Sequence, residues 1–135
     1  PEVLNLFPSR AVNLHIAYLP WNRGADPNLW SYLEETPSGV SIHYLDAGID
    51  TGDLICQMRV PYVTDDTLKT SYLRLQNRIQ SMFFDYWPRI RTGECPRIKQ
   101  PLGGTYHKSK DKKPYLELLT NGWDTKVETL IGKAL

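Results

Sequence analysis

The chain has 135 residues, 41% of them hydrophobic, with sixteen basic and fifteen acidic side chains and a net charge of +1. That length bounds it to one domain with a core of its own, and the charge balance argues against a general nucleic-acid binder. No apolar run reaches the roughly 20 residues of a membrane helix, and no stretch reads as a secretory segment. Cys56 and Cys95 stand alone rather than in a paired motif, as expected for reduced thiols of a cytoplasmic protein.

In chain order, Glu2 to Phe7 reads as the end of a helix that Pro8 stops, with a larger domain expected upstream. Ala11 to His15 reads as a short buried strand. Pro20, Asn22 and Gly24 make the loop after it. Asp26 is placed to cap a helix with Pro27 at its first position, and Leu29, Trp30 and Leu33 give it an apolar stripe. Val40 to Leu45 is a strand, Asp46 to Asp53 a turn, and Leu54 to Tyr62 a returning strand whose Pro61 suggests an exposed end. Asp65 or Asp66 is expected to cap the longest helix. Leu68, Tyr72, Leu75, Ile79, Met82, Phe83 and Tyr86 recur along it at spacings of three and four, and Gly93 ends it. Arg74 and Arg78 read as a solvated face.

Residues 96–113 show little regular pattern. Gly103-Gly104 is a flexible point, and His107, Lys108 and Lys110 follow it. They read either as a solvated loop or as a cationic flap that binds a phosphorylated substrate. Leu116, Leu118 and Leu119 form a short apolar element. Thr125 and Glu128 match a capping box, with Val127, Leu130 and Ile131 as the buried stripe of a closing helix. Strands alternating with helices predict an α/β domain with a mostly parallel sheet. Sites in such sheets form at the carboxyl ends of strands, where His15 and Asp50 both fall.

In a strand over residues 12–15, Asn13 and His15 point to one face. The amide can steady a developing oxyanion while the imidazole moves a proton. A carboxylate beside His15 would fix its tautomer and favour its charged form. No cysteine or serine is placed as a nucleophile, which favours direct group transfer. A metal hydrolase built on His15, His43, Asp50 and Asp53 is a competing reading, but the spacing matches no metal motif and His43 inside a strand reads as a packed residue. Asp53 reads as a structural acid of the turn.

The ordered runs Asn13-Leu14-His15, Leu19-Pro20, Arg23-Gly24-Ala25, Gly39 to Tyr44 and Gly48-Ile49-Asp50-Thr51-Gly52-Asp53 resemble the formyltransferases that use N10-formyltetrahydrofolate. Tyr18 to Asn28 together with Thr105 to Asp111 look most like the nucleotide-sugar N-formyltransferases. The methionyl-tRNA and glycinamide ribonucleotide enzymes usually carry Pro-Ser where Ile16-Ala17 stand. The resemblance implies a Rossmann-like α/β domain of which residues 1–135 are the C-terminal portion, lacking its first strands and ending in a short helical tail. It implies Asn13, His15 and Asp50 as the catalytic trio, and Leu45, Asp46, Ala47, Gly48 and Ile49 as the lining of the pterin pocket. His107, Lys108 and Lys110 are the expected substrate contacts. N10-formyltetrahydrofolate is the expected formyl donor, with no metal, no membrane and no nucleic acid involved. The expected acceptor is the amine of a nucleotide-linked amino sugar. Formyl transfer to methionyl-tRNA or glycinamide ribonucleotide, hydrolysis of formyltetrahydrofolate, and a non-catalytic folate-binding or assembly fragment are the alternatives. Tyr115, Leu116 and Trp123 form a tail that can pack on a second copy.

Overall fold

The computed structural model describes residues 10–135; the helix end expected over residues 2–7 lies outside them. Among the described residues the order is β1 (Val12–His15), β2 (Arg23–Gly24), α1 (Pro27–Leu33), β3 (Gly39–Tyr44), β4 (Leu54–Arg59), α2 (Leu68–Thr92) and β5 (Tyr106–His107). The α/β class matches the expectation, but the sheet does not. Its three strands lie in the order β1-β3-β4 and both pairings are antiparallel. The nine-residue connection 45–53 explains half of this, since a parallel crossover needs a dozen or more residues. Among the described residues only the short β2–β5 pair is parallel.

Register decides what meets at the site. Asn13 pairs with His43 and His15 with Ser41, so those four side chains share one face of the sheet. Val40, Ile42 and Tyr44 point the other way, into a core with Leu75, Ile79 and Met82 of α2. Partners of β3 on β4 jump from Cys56 to Leu54, skipping Ile55. This bulge sits at His43, where an extra residue twists the strand and re-aims a side chain.

Helix α2 buries Leu68, Ser71, Leu75, Ile79 and Met82. The small Ser71 turns inward, bonded to Asn28 and Tyr32, and Tyr72 is left 45% exposed. Its N-cap is Thr67, which exchanges hydrogen bonds with Thr70, not either aspartate. Asp66 is instead buried and gripped through both oxygens by Arg74, which removes Arg74 from the solvated face. Gly93 closes the helix at φ 76, as the sequence predicts.

A second core joins Leu29, Trp30, Tyr32 and Leu33 of α1 to Leu68, Val127 and Leu130. Asp26 precedes α1 but does not cap it with its side chain; its carboxylate takes Lys112 at 2.9 Å. Residues 109–118 form a 3-10 helix opened by Lys108 N–H donating to Asp111, which begins inside the stretch 96–113 that showed little regular pattern and runs into the expected apolar element. The expected closing helix is only a 3-10 turn over residues 127–129. Thr125 does not cap it: its hydroxyl points backward, accepting from Asn121 N–H and donating to the Gly122 carbonyl.

Candidate active site

The side chain of Asp50 is the meeting point. The residue sits at φ 57, a left-handed turn conformation that Asp tolerates, and Gln100 pins the turn by donating to the Asp50 and Gly52 carbonyls at 2.8 Å each. Gly52 has no room for a side chain, since a Cβ would lie 1.7 Å from the Tyr44 carbonyl oxygen. Asp50 Oδ2 accepts the Gly24 N–H at 2.9 Å and lies 3.6 Å from His15 Nε2. Its Oδ1 accepts from Asn13 Nδ2 at 3.4 Å and lies 3.3 Å from His43 Nε2. The three residues expected as a trio are therefore gathered from two distant stretches. Burial pushes the Asp50 carboxyl up, but the His43 contact, the nearby His15 and the Gly24 N–H together hold it below the usual range.

His15 is buried, and its Nε2 lies 2.9 Å from the Asn22 carbonyl. A carbonyl can only accept, so Nε2 carries the hydrogen and the neutral ring keeps its lone pair on Nδ1. Nδ1 has no partner among the described residues. Asn22 is itself locked: its side chain donates to Thr36 at 2.8 Å and its N–H to Thr105 at 2.7 Å. The tautomer is thus set by a main-chain carbonyl, where the sequence pointed to a carboxylate. Burial lowers the His15 imidazole, and Asp50 and the Asn22 carbonyl only partly offset it. The ring is neutral at pH 7, against the expectation of a favoured charged form.

His43 belongs to this cluster as well as to the sheet interior. Its Nδ1 donates to the Tyr44 carbonyl at 2.8 Å, which turns Nε2 toward Asp50 and toward Asn13 Nδ2 at 3.5 Å. The strand alternation marks its face, but only the β1–β3 register reveals that face as the site. Among the described residues no group of three or more His, Cys, Asp or Glu side chains is placed to hold a metal ion. Burial, then Cys95, pushes the Cys56 thiol up to about 12, so it is no nucleophile at neutral pH.

Residues 45–49 form the exposed outer arm of the same turn. Asp46 closes it by accepting from Gly48 N–H at 2.9 Å and from the Thr51 hydroxyl at 2.7 Å. Asp53, expected to cap the turn, contributes its carbonyl to Tyr44 N–H. The peptide groups of Ala47 and Ile49 have no partner among the described residues and can serve a ligand. Lys108 and Lys110 are exposed at the head of the 3-10 helix. His107 lies inside: it stacks on Trp30 at 3.9 Å and meets Glu34 at 3.0 Å.

Residues 1–85 match the family model described as formyl transferase. The chain is 58% identical to the formyltransferase PseJ from Anoxybacillus kamchatkensis, solved in complex with UDP-4,6-dideoxy-4-formamido-L-AltNAc and tetrahydrofolate. That match covers 100% of this chain and 71% of PseJ, with a TM-score of 0.97. A 4-N formyltransferase from Francisella tularensis is 30% identical over 76% of this chain and 43% of its own, with a TM-score of 0.73. The cytosolic 10-formyltetrahydrofolate dehydrogenase of Pongo abelii is 29% identical over 96% of this chain, which spans only 14% of that relative. With a family model that matches well over half its length, the chain belongs to the formyl transferase family.

Proposed function

We propose that this chain carries the reaction centre for moving a formyl group from N10-formyltetrahydrofolate to the amine of a nucleotide-linked amino sugar. The observation that carries the reading is the unshared Nδ1 of a neutral, buried His15, beside the amide of Asn13 and the carboxylate of Asp50. The likeness to PseJ, solved with a UDP-linked formamido sugar and tetrahydrofolate, supports both the donor and the acceptor class.

In this reading the acceptor amine attacks the formyl carbon of the folate. As the new C–N bond forms, His15 Nδ1 takes one amine proton. The carbonyl oxygen becomes an oxyanion, and Asn13 Nδ2 donates to it. Both present contacts of that amide are long, at 3.4 and 3.5 Å, so either is readily exchanged for a charged acceptor. The bond to N10 then breaks and N10 takes up a proton. That proton is the one His15 took from the amine, handed on from Nδ1, while Asp50 beside Nε2 steadies the imidazolium. His43, its Nδ1–H held by the Tyr44 carbonyl, turns its Nε2 lone pair toward the Asn13 amide. The arm from Leu45 to Ile49 seats the pterin through main-chain groups. Lys108 and Lys110 offer charge to the acceptor's phosphates. The free thiols of Cys56 and Cys95 suit a cytoplasmic location.

The test incubates the full-length protein with N10-formyltetrahydrofolate and a panel of UDP- and dTDP-linked amino sugars. Mass spectrometry should find one acceptor gaining a formyl group. Release of formate at the same rate with and without an amine would replace the transferase by a hydrolase.

A further inference from the structure

The segment after α2 runs from one half of the site to the other. Ile98 is bridged to Leu54 at the start of β4. Two residues on, Gln100 donates through its one amide nitrogen to the Asp50 and Gly52 carbonyls, at 2.8 Å each. Pro101 and Leu102 cross in solvent. Thr105 then enters the Asn22 loop, where its N–H donates to the Pro20 carbonyl at 3.2 Å and its carbonyl accepts the Arg23 N–H at 2.9 Å. The Thr105 hydroxyl accepts the Asn22 N–H at 2.7 Å, which leaves its own hydrogen free to point at Asn22 Oδ1, 3.3 Å away. Asn22 is fully buried, with φ 57, so an N–H that lost this acceptor would have no water to replace it. The two side chains thus grip different parts of the site. Gln100 holds the turn that carries Asp50, and Thr105 holds the loop whose Asn22 carbonyl takes the hydrogen of His15 Nε2. Both act through the main chain rather than on the reacting groups.

We propose that Gln100 and Thr105 are positioning residues for formyl transfer: one strap sets the Asp50 turn and the Asn22 carbonyl against each other, and so fixes the nitrogen on which His15 keeps its lone pair and the carboxylate beside it. The inference rests on the reading of His15 and Asp50 as the working pair, and adds what holds them together. Because the two side chains act through the groups that move protons, their loss should appear in kcat rather than in KM.

The test uses the full-length protein with Thr105→Val, which keeps the shape and removes the hydroxyl, Thr105→Ser, which keeps the hydroxyl, and Gln100→Met, which removes the amide. Thr105→Ala repeats the first with a smaller side chain. Long-range nitrogen–proton correlation spectra read the His15 tautomer directly, without substrate. The unaltered protein and Thr105→Ser should carry the ring hydrogen on Nε2 alone, while Thr105→Val and Thr105→Ala should show both tautomers. Gln100→Met should keep the tautomer but lower the pH at which His15 takes up its second proton, because the carboxylate that favours the charged ring is no longer held beside it. In turnover, Thr105→Val and Gln100→Met should each lose about 10-fold or more in kcat, within the roughly 100-fold that a displacement of about 1 Å can cost, with KM for both substrates changed by less than about 3-fold. Thermal melts show that each variant folds. A single Nε2–H tautomer in both Thr105→Val and Thr105→Ala overturns the proposal, as does an unmoved His15 midpoint in Gln100→Met. A loss that falls on KM instead also overturns it, by assigning the strap to substrate binding. If the unaltered protein transfers no formyl group yet the tautomer still depends on the Thr105 hydroxyl, the functional reading fails and the strap's hold on His15 stands.

Discussion

His15 and Asn22 are joined by a 2.9 Å hydrogen bond from imidazole Nε2 to a main-chain carbonyl, and this bond decides which nitrogen can act as a base. A carbonyl cannot give a proton, so the lone pair must sit on Nδ1, on the open side of the ring. Burial holds the imidazole below its ordinary value, about 6.5.

The first prediction concerns pH. His15 acts while neutral, so kcat/KM should be level from pH 7 upward and fall on an acid limb whose midpoint lies below about 6.5. The same shift affects stability. Because the folded value is depressed, the neutral ring's contribution is complete above about pH 6.5 and fades as pH drops through the window beneath it. His15→Gln should lower kcat/KM by roughly 100-fold or more and remove that limb. A midpoint above 7 in the unaltered enzyme would contradict the neutral-base reading.

Asp50→Asn separates two effects of the carboxylate. The amide can still accept the Gly24 N–H through its oxygen, so the turn should survive. The negative charge that raises the His15 value is lost, so the acid limb should move to still lower pH while the rate falls by about 100-fold or more. A pH-rate series on the variant reads both. A limb that moves upward would mean that Asp50 does not act on His15 through its charge.

The path from sequence to site was uneven, for physical reasons. Asn13 and His15 were legible because period-two alternation puts them on one face, and their approach to Asp50 was implied by the family resemblance. His43 was not, because its role depends on its place opposite Asn13 and on a bulge that skips Ile55. Neither register nor bulge leaves a mark in one sequence. Asn22 read as a turn former, yet it acts through its backbone carbonyl, which every residue type has. Tyr72 fitted the apolar spacing of α2 as well as Ser71 fitted none, and polar partners from α1 decided which turned inward. The antiparallel β3–β4 pair was legible in its short connection, but the β1–β3 direction was hidden, since the long helix-bearing segment between those strands leaves either direction open.

Gly24 offers a structural test of how Asp50 is held. At φ 88 its backbone is left-handed, and a Cβ there would lie 2.2 Å from the His107 carbonyl oxygen. Gly24→Ala should therefore part β2 from β5 and withdraw the N–H that Asp50 accepts. The combined strain should cost about 2 kcal/mol or more, read as a lower urea midpoint. Activity should fall further than the stability loss explains, because the carboxylate loses its donor. Unchanged activity would show that this N–H does not orient Asp50.

Asp66 and Arg74 test the second core without touching the site. The buried carboxylate accepts from both Arg74 nitrogens, from Val63 N–H and from the Thr70 hydroxyl. Arg74, ahead of the cost of burial, pulls its value down to about 2. The group is thus charged in the fold at pH values where the unfolded chain, near 3.9, takes up its proton. Its contribution, roughly 2 kcal/mol, is complete above about pH 4 and lost as pH falls toward 2. Replacing Asp66 by Asn should remove about that much stability at pH 7, and the difference from the unaltered protein should shrink through that acid window. Denaturant melts at pH 7 and across the acid range measure it; a difference that holds constant down to pH 2 would show that charge is not what Asp66 contributes.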